Sequence, residues 1–207
     1  MVPAFTRQYG KPLAIVALLA LSLALAGCGV NNIPTYENAA KAGWSNVLNE
    51  YKRRADLIPN LVETVKGFAE QEKSVLTEVI EARAKATSVQ IPPDILTNPE
   101  AMKNFQDAQQ QLGGALGRLL AVVERYPDIK SGQNFLALQS ELSGAENRIA
   151  IARRDYIESV KVYNTELVTI PGRWWRSFMY PTAKELATFD IAAEEMKTPK
   201  VDFEKKK

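Results

Sequence analysis

Histidine is absent from all 207 residues and cysteine occurs once, at position 28. Without an imidazole there is no His general base and no Ser-His-Asp triad, and a single thiol cannot build a Cys-ligated metal centre. No metal, cofactor or catalytic residue is therefore expected. Net charge is scarce too, with 26 Lys and Arg against 24 Asp and Glu, for a balance of +2. Arg7 and Lys11 both precede an apolar run near the start, which leaves the rest of the chain neutral. A neutral body has no electrostatic footprint for nucleic acid. What the chain does have is 46% hydrophobic residues, enough for a sizeable core in one domain with appendages.

The run Pro12 to Ala26 follows those two basic residues and ends in Leu25-Ala26-Gly27-Cys28. A basic start, about 15 apolar residues and small residues before a cut make a secretory signal peptide, whereas a spanning helix needs roughly 20. The ending also resembles the lipobox of bacterial lipoproteins, in which the Cys sulfur is lipidated, the peptide is cut before it and the new amine is acylated. The expectation is a signal peptide over residues 1–27, N-acyl and S-diacylglycerol groups on Cys28, and a lipidated tether over residues 28–34. An uncleaved anchor with an incidental Cys is the alternative, and it too holds the chain at a membrane. Lipidation accounts for a thiol that would otherwise stand unpaired in an oxidising compartment. Gly29 takes the place where lipoproteins kept in an inner membrane often carry Asp, which points to the periplasmic face of the outer membrane if there are two membranes. From Gly29 to Pro34 the tether spans at most roughly 20 Å.

The central stretch runs from Lys41 to about Ala86. Trp44, Val47, Leu48, Tyr51, Ala55, Ile58, Leu61, Val62, Val65, Phe68, Ala69, Val75, Leu76, Val79 and Ile80 recur at the spacing of one buried helix face. One helix about 75 Å long is expected, kinked and not broken at Pro59; two helices meeting at Pro59 are the alternative. Asn98-Pro99-Glu100 starts a second helix that carries Met102, Phe105, Leu112, Leu116, Leu119, Leu120 and Val123 to Tyr126, with Gly113 and Gly117 marking close helix contact. A third runs from about Gln133 to Thr169, with Phe135, Leu138, Leu142, Ala145, Ile149, Ala152, Tyr156, Val160, Tyr163 and Leu167 on one face. Arg173 to Tyr180 reads as a short fourth helix, and Thr188 to Ile191 as a brief extended piece. The fold expected is all-α: an antiparallel up-and-down bundle of three long helices and a short fourth over residues 35–180. A C-terminal extension over residues 181–207 follows, partly mobile, because its end has little apolar content.

Several segments also carry a resemblance. Trp44-Ser-Asn, Tyr51-Lys-Arg-Arg-Ala-Asp-Leu-Ile-Pro-Asn-Leu-Val-Glu-Thr-Val-Lys-Gly-Phe68, Ala82-Arg83, Tyr126-Pro-Asp-Ile-Lys130, Asn134 to Leu142, Glu146-Asn-Arg-Ile149, Ala152-Arg-Arg-Asp-Tyr156 and Val162-Tyr-Asn164 resemble, in order, the pattern of the LemA family. The resemblance covers about Tyr36 to Tyr180. It implies a helical bundle on a membrane anchor and, for most members, no established biochemical role. The lipobox in place of a plain anchor helix, and the Pro171-Gly-Arg-Trp-Trp and Pro199-Lys-Val-Asp-Phe203 segments, depart from it.

Asp56, Asn60, Lys66, Glu124, Asn134, Gln139, Glu141, Glu146, Asn147, Arg148, Arg153 and Asn164 are the polar candidates for a buried site. In a bundle such residues more often form hydrogen-bonded pairs that fix helix register. Lys52-Arg53-Arg54, interleaved with Glu50 and Asp56, reads as a solvated helix face. The aromatic group Arg173, Trp174, Trp175, Phe178 and Tyr180 reads either as a cap on the bundle or as a contact for another envelope protein. An interfacial anchor, which Trp and Tyr beside Arg173 and Arg176 would suit, is set aside for the same membrane, because a first helix of about 75 Å puts the group far from Cys28. The favoured function is a lipid-anchored interaction or scaffold protein without catalysis. The alternative is an envelope hydrolase or transferase using carboxylates or a Ser-Lys pair.

Overall fold

The computed structural model describes residues 29–68 and 72–189, and every regular element among them is helical. The elements are α1 (Asn32–Thr64), a 3₁₀ turn (Lys66–Phe68), α2 (Lys73–Ser88), a second 3₁₀ turn (Ile95–Thr97), α3 (Pro99–Val123), α4 (Pro127–Lys130), α5 (Gln133–Val168) and α6 (Gly172–Phe178). This is the all-α fold that the periodicity indicates. Asn98 starts α3 as its sequence suggests: its side chain accepts a bond from the Ala101 amide at 3.1 Å, with Pro99 in the first turn.

The first helix differs from expectation at three points. It begins at Asn32, so residues 32–34 of the supposed tether are already helical and Ile33 is buried. It passes through Pro59 unbroken, because the ring lies on the exposed face and another side chain serves the carbonyl that Pro59 leaves free. It stops at Thr64 instead of continuing to Ala86, which shortens it to 33 residues, or about 50 Å. The stop has a local cause. Gly67 is about 1 kcal/mol worse than Ala in a helix, and Lys66–Phe68 tighten into a 3₁₀ turn around it. The apolar phase survives the break because Leu76 and Val79 of α2 turn back into the same core cluster as Ile58, Leu61 and Val65. Ile80, assigned to the buried face, is instead 52% exposed. The Phe68 side chain and Ala69 lie outside the described residues.

Helix directions follow from cross-links. Asn32 meets Glu166, Glu50 meets Arg148 and Arg54 meets Glu146, so α5 runs antiparallel along α1. Arg83 reaches back to Ala55, while Lys85 meets Gln111 and Arg118 meets Glu78, so α2 descends between the rising α1 and α3. The close approach is at Gly43, where an added Cβ would lie 3.3 Å from Tyr156 Cα. Gly113 and Gly117 are not such points. Gly113 leaves room for the Arg54 guanidinium, 3.8 Å from a Cβ built there, and Gly117 faces open space.

Beyond about residue 55 the core is four helices thick. Toward the chain start α2 is missing, and its place is taken by the Ile95–Thr97 turn and an irregular strap, residues 183–189. The strap buries Leu186 and Phe189. Phe189 packs tilted against Trp44 and edge-on against Tyr156, with ring centroids at 5.9 and 5.6 Å. Asn164 clasps both backbone groups of Leu186 at 2.9 Å, donating to its carbonyl and accepting from its amide. Tyr156 donates its hydroxyl to the Ala187 carbonyl at 2.7 Å, and the Ala187 amide donates to the Leu96 carbonyl at 2.7 Å. Part of the segment read as an appendage thus completes the core. Thr188 and Phe189 of the expected extended piece lie in this strap, while Asp190 and Ile191 fall outside the described residues.

Candidate functional site

Two places concentrate chemistry. The first is a polar layer between the two apolar clusters, at the level where Arg54 lies between Tyr51 and Ile58, Gln109 between Phe105 and Leu112, and Glu146 between Leu142 and Ile149. Arg54 is only 3% exposed, which corrects the solvated-face reading. It donates to Glu146 Oε1 at 2.7 Å and to Gln109 Oε1 and carbonyl at 2.8 and 3.1 Å, with its guanidinium 5.1 Å from the Tyr51 ring centroid. Gln109 in turn donates to the Ala86 carbonyl at 3.3 Å, tying α2 to the layer. A cleft of about 360 Å³ opens over these residues beside Arg153 and Lys103. Arg54 is held by Glu146 and Gln109 from two other helices, which suits a register lock between helices better than a reaction.

Other polar candidates are likewise engaged in pairing. Asp56 pairs with Lys52, Lys66 with Glu63, Glu124 with Lys130 and Arg148 with Glu50. Arg153 lies over the Phe189 ring, and Asn164 holds the strap. Ser45 and Ser159 each donate to a backbone carbonyl of their own helix. Among the described residues no three carboxylates or thiols approach closely enough to hold a metal. Arg83 is a residue that motif reasoning quoted without a role. Its Nε donates at 2.9 Å to the Ala55 carbonyl, the acceptor four residues before Pro59. A proline inside a helix always frees that carbonyl, so a donor was there to be sought.

Three tyrosines line the apolar cluster nearer the chain start, and their phenols are pushed above the ordinary value. Burial is the main cause for Tyr51, opposed by Arg153 and Arg54, and the sole cause for Tyr156. For Tyr163 burial and the neighbouring Glu37 raise it while Arg176 lowers it.

The second place is the end of the bundle where α5 passes into α6 through Ile170–Pro171. Here the expectation of distance from the chain start fails. A Cβ on Gly29, whose φ is +91°, would lie 3.4 Å from Pro171 Cγ, and α1 touches α6 directly. The error came from the helix length: α1 and α5 nearly match at 33 and 36 residues and run antiparallel, so the end of α5 returns to the beginning of α1. Gly172 is required at the corner, since a Cβ there would meet the Glu166 carbonyl at 2.1 Å. The aromatic group itself is divided. Trp175 and Tyr180 are partly buried against the apolar cluster nearer the chain start, whereas Arg173, Trp174 and Phe178 are exposed, with Trp174 at 57% and Phe178 at 82%. Cys28 lies outside the described residues, and no helix among those described is long and apolar enough to cross a membrane.

Comparison with known proteins places the chain in a family. The LemA family pattern matches residues 43–203. A magnetosome protein, MamQ 2, of Paramagnetospirillum magneticum is 28% identical over 178 residues, covering 78% of this chain and 64% of its own. The magnetosome protein MamQ of Magnetospirillum gryphiswaldense is 28% identical over 67% of this chain and 57% of its own. Protein LemA of Metamycoplasma hominis is 22% identical over 78% of this chain and 67% of its own. The chain thus spans less than two thirds of the length of the MamQ relatives. With a match over most of its length and an all-helical body, the chain belongs to the LemA family.

Proposed function

We propose that this chain is a non-catalytic envelope protein, held at a membrane through a lipidated Cys28, whose bundle holds or scaffolds another envelope protein. The observation that carries the reading is the apolar run ending in Leu25-Ala26-Gly27-Cys28, one residue before Gly29, which already packs on Pro171. The folded body therefore starts where the anchor ends, and acyl chains at about 0.8 kcal/mol per buried CH₂ hold it firmly. A scaffold is supported over an enzyme by the pairing of its inward charges. Two of the relatives are magnetosome proteins, which fits a role at a membrane. In a two-membrane bacterium Gly29 directs the protein to the periplasmic face of the outer membrane.

Cys28→Ala tests the anchor. The substituted chain is expected to accumulate as an unprocessed precursor that takes no acyl label. A wild-type mature protein that retains Met1 to Gly27 and carries no lipid refutes the proposal. Crosslinking in intact envelopes, followed by capture, tests the scaffold role: one partner recovered in fixed stoichiometry is expected, and its consistent absence argues for another function.

A further inference from the structure

Exposed apolar side chains are spread unevenly over the described residues. Of the eleven large hydrophobics that are exposed, five fall within residues 168–179: Val168, Ile170, Trp174, Phe178 and Met179. Elsewhere they stand singly, five along helices and Ile91 in the loop after α2, as they do on ordinary surfaces. Here they form one patch, because Trp174 and Phe178 are four residues apart on the outer face of α6, one turn above the other. Ile170 at 64% and Met179 at 57% exposure flank that face. The inner face is committed to the fold through buried Gly172 and the partly buried Trp175. To one side of the outer face, Arg173 and Arg176 line an open hollow of about 570 Å³ together with Ser177 and the end of α5.

Position supplies the occupant. The chain outside the structure on this side contains the 15-residue apolar run Pro12–Ala26 and ends at residue 28. Residue 29 lies against Pro171, at the root of α6. Whether the anchor is an acylated Cys28 or the apolar run itself, the chain leaves the bilayer within a residue or two of this patch. We propose that the outer face of α6, with Ile170, Trp174, Phe178 and Met179, lies in the headgroup layer of the same membrane, with Arg173 and Arg176 facing lipid phosphates. Trp prefers the boundary between headgroups and acyl chains, and cations beside it draw the surface toward anionic lipid. The bundle is then held at two points, which fixes the direction of its long axis relative to the membrane. One point alone would leave it free to swivel. The inference rests on the anchored reading only in placing a membrane next to residue 28.

The test uses the full chain purified from membranes. It is reconstituted into vesicles of phosphatidylethanolamine and phosphatidylglycerol whose acyl chains carry bromine, a contact quencher of Trp fluorescence. Flotation with the vesicles establishes anchoring, so failure to float condemns the anchored reading and not the patch. In floating protein, bromolipid is expected to quench Trp emission, and Trp174→Phe is expected to lose the larger part of that quenching. Trp44→Phe should keep it, since Trp44 is buried in the core. Quenching that is absent, or that survives Trp174→Phe undiminished, overturns the proposal. A benzophenone side chain placed at position 178 gives an independent reading in envelopes: a phospholipid adduct supports lipid contact, and an adduct with protein alone overturns it.

Discussion

Pro59 and Arg83 offer a direct measurement of how the bundle tolerates a proline in its longest helix pair. Pro59 has no amide hydrogen, so the Ala55 carbonyl lacks its helical donor, and the Arg83 guanidinium supplies one from α2 at 2.9 Å. Hydrogen bonds involving a charged group contribute about 1.5 to 3 kcal/mol, so Arg83→Ala in the native chain is expected to lose roughly that much. Pro59→Ala should stabilise, by about 1 to 2 kcal/mol. The roughly 3 kcal/mol helix penalty of Pro is lessened here by Arg83 and by the freedom that Ala restores to the unfolded chain. In the Pro59→Ala background the residue-59 amide serves Ala55 again, and Arg83→Ala should then cost only about 0.5 to 1 kcal/mol. The two substitutions therefore couple by about 1 to 2 kcal/mol, well outside the roughly 0.5 kcal/mol scatter of independent sites. Urea unfolding of the four proteins, followed by helical circular dichroism, reads the cycle. Additive effects would show that Arg83 holds α2 in place for some other reason and that the Ala55 carbonyl finds its donor elsewhere.

Other substitutions probe the core, the polar layer, the phenols and the strap. Leu61 is fully buried, so Leu61→Ala should cost about 2 to 5 kcal/mol, while Lys52→Ala on the exposed face should cost under about 0.5; equal losses in chemical denaturation would contradict the assignment of faces. Glu146→Ala strands the buried Arg54 cation and is expected to cost about 1 to 3 kcal/mol, more than Glu50→Ala at the outer pair with Arg148, a ranking that the same unfolding curves check. Tyr51, Tyr156 and Tyr163 hold their protons above the ordinary pKa of 10.0. The stability they support is intact below that value and is lost as pH rises through the folded-state values, by up to about 1.4 kcal/mol per pH unit for each phenol that ionises only on unfolding. Tyr156→Phe should flatten the alkaline decline, and an unchanged slope would refute its share. Asn164→Ala removes both clasps on Leu186, and hydrogen exchange should rise within residues 183–189 before it rises in α1 or α5; uniform loss of protection would show that the strap does not open by itself.

The helices were legible because their apolar residues repeat with the helical period. The buried faces of α3 and α5 were read residue by residue, and Asn98-Pro99 marked its boundary. The end of α1 was not legible. Gly67 is a weak signal by itself, and the apolar phase continues past it because α2 returns to the same cluster. That one mistake of length carried the aromatic group to the wrong end of the molecule. The strap was invisible for a different reason: residues 183–189 bury only two large side chains and depend on Asn164 and Tyr156, whose bonds to backbone leave no periodic trace. Arg54 was misplaced because a basic triplet looks solvated until the Gly113 gap and the Gln109 oxygens are known.

The antiparallel pairing of α1 with α5 also sets an order of events as the chain folds. Asn32 and Glu166 are 134 residues apart in the chain, so their contact closes a loop that takes in nearly the whole body, and closure cost grows with loop length. The α2–α3 hairpin, whose Gln109–Ala86 link spans only 23 residues, is complete well before then. The helix made first is thus the last to find its main neighbour. The part of its apolar face that α5 covers waits open while the middle of the protein is being finished, and slow closure of this widest loop is the step at which an unaccompanied chain is most exposed to aggregation.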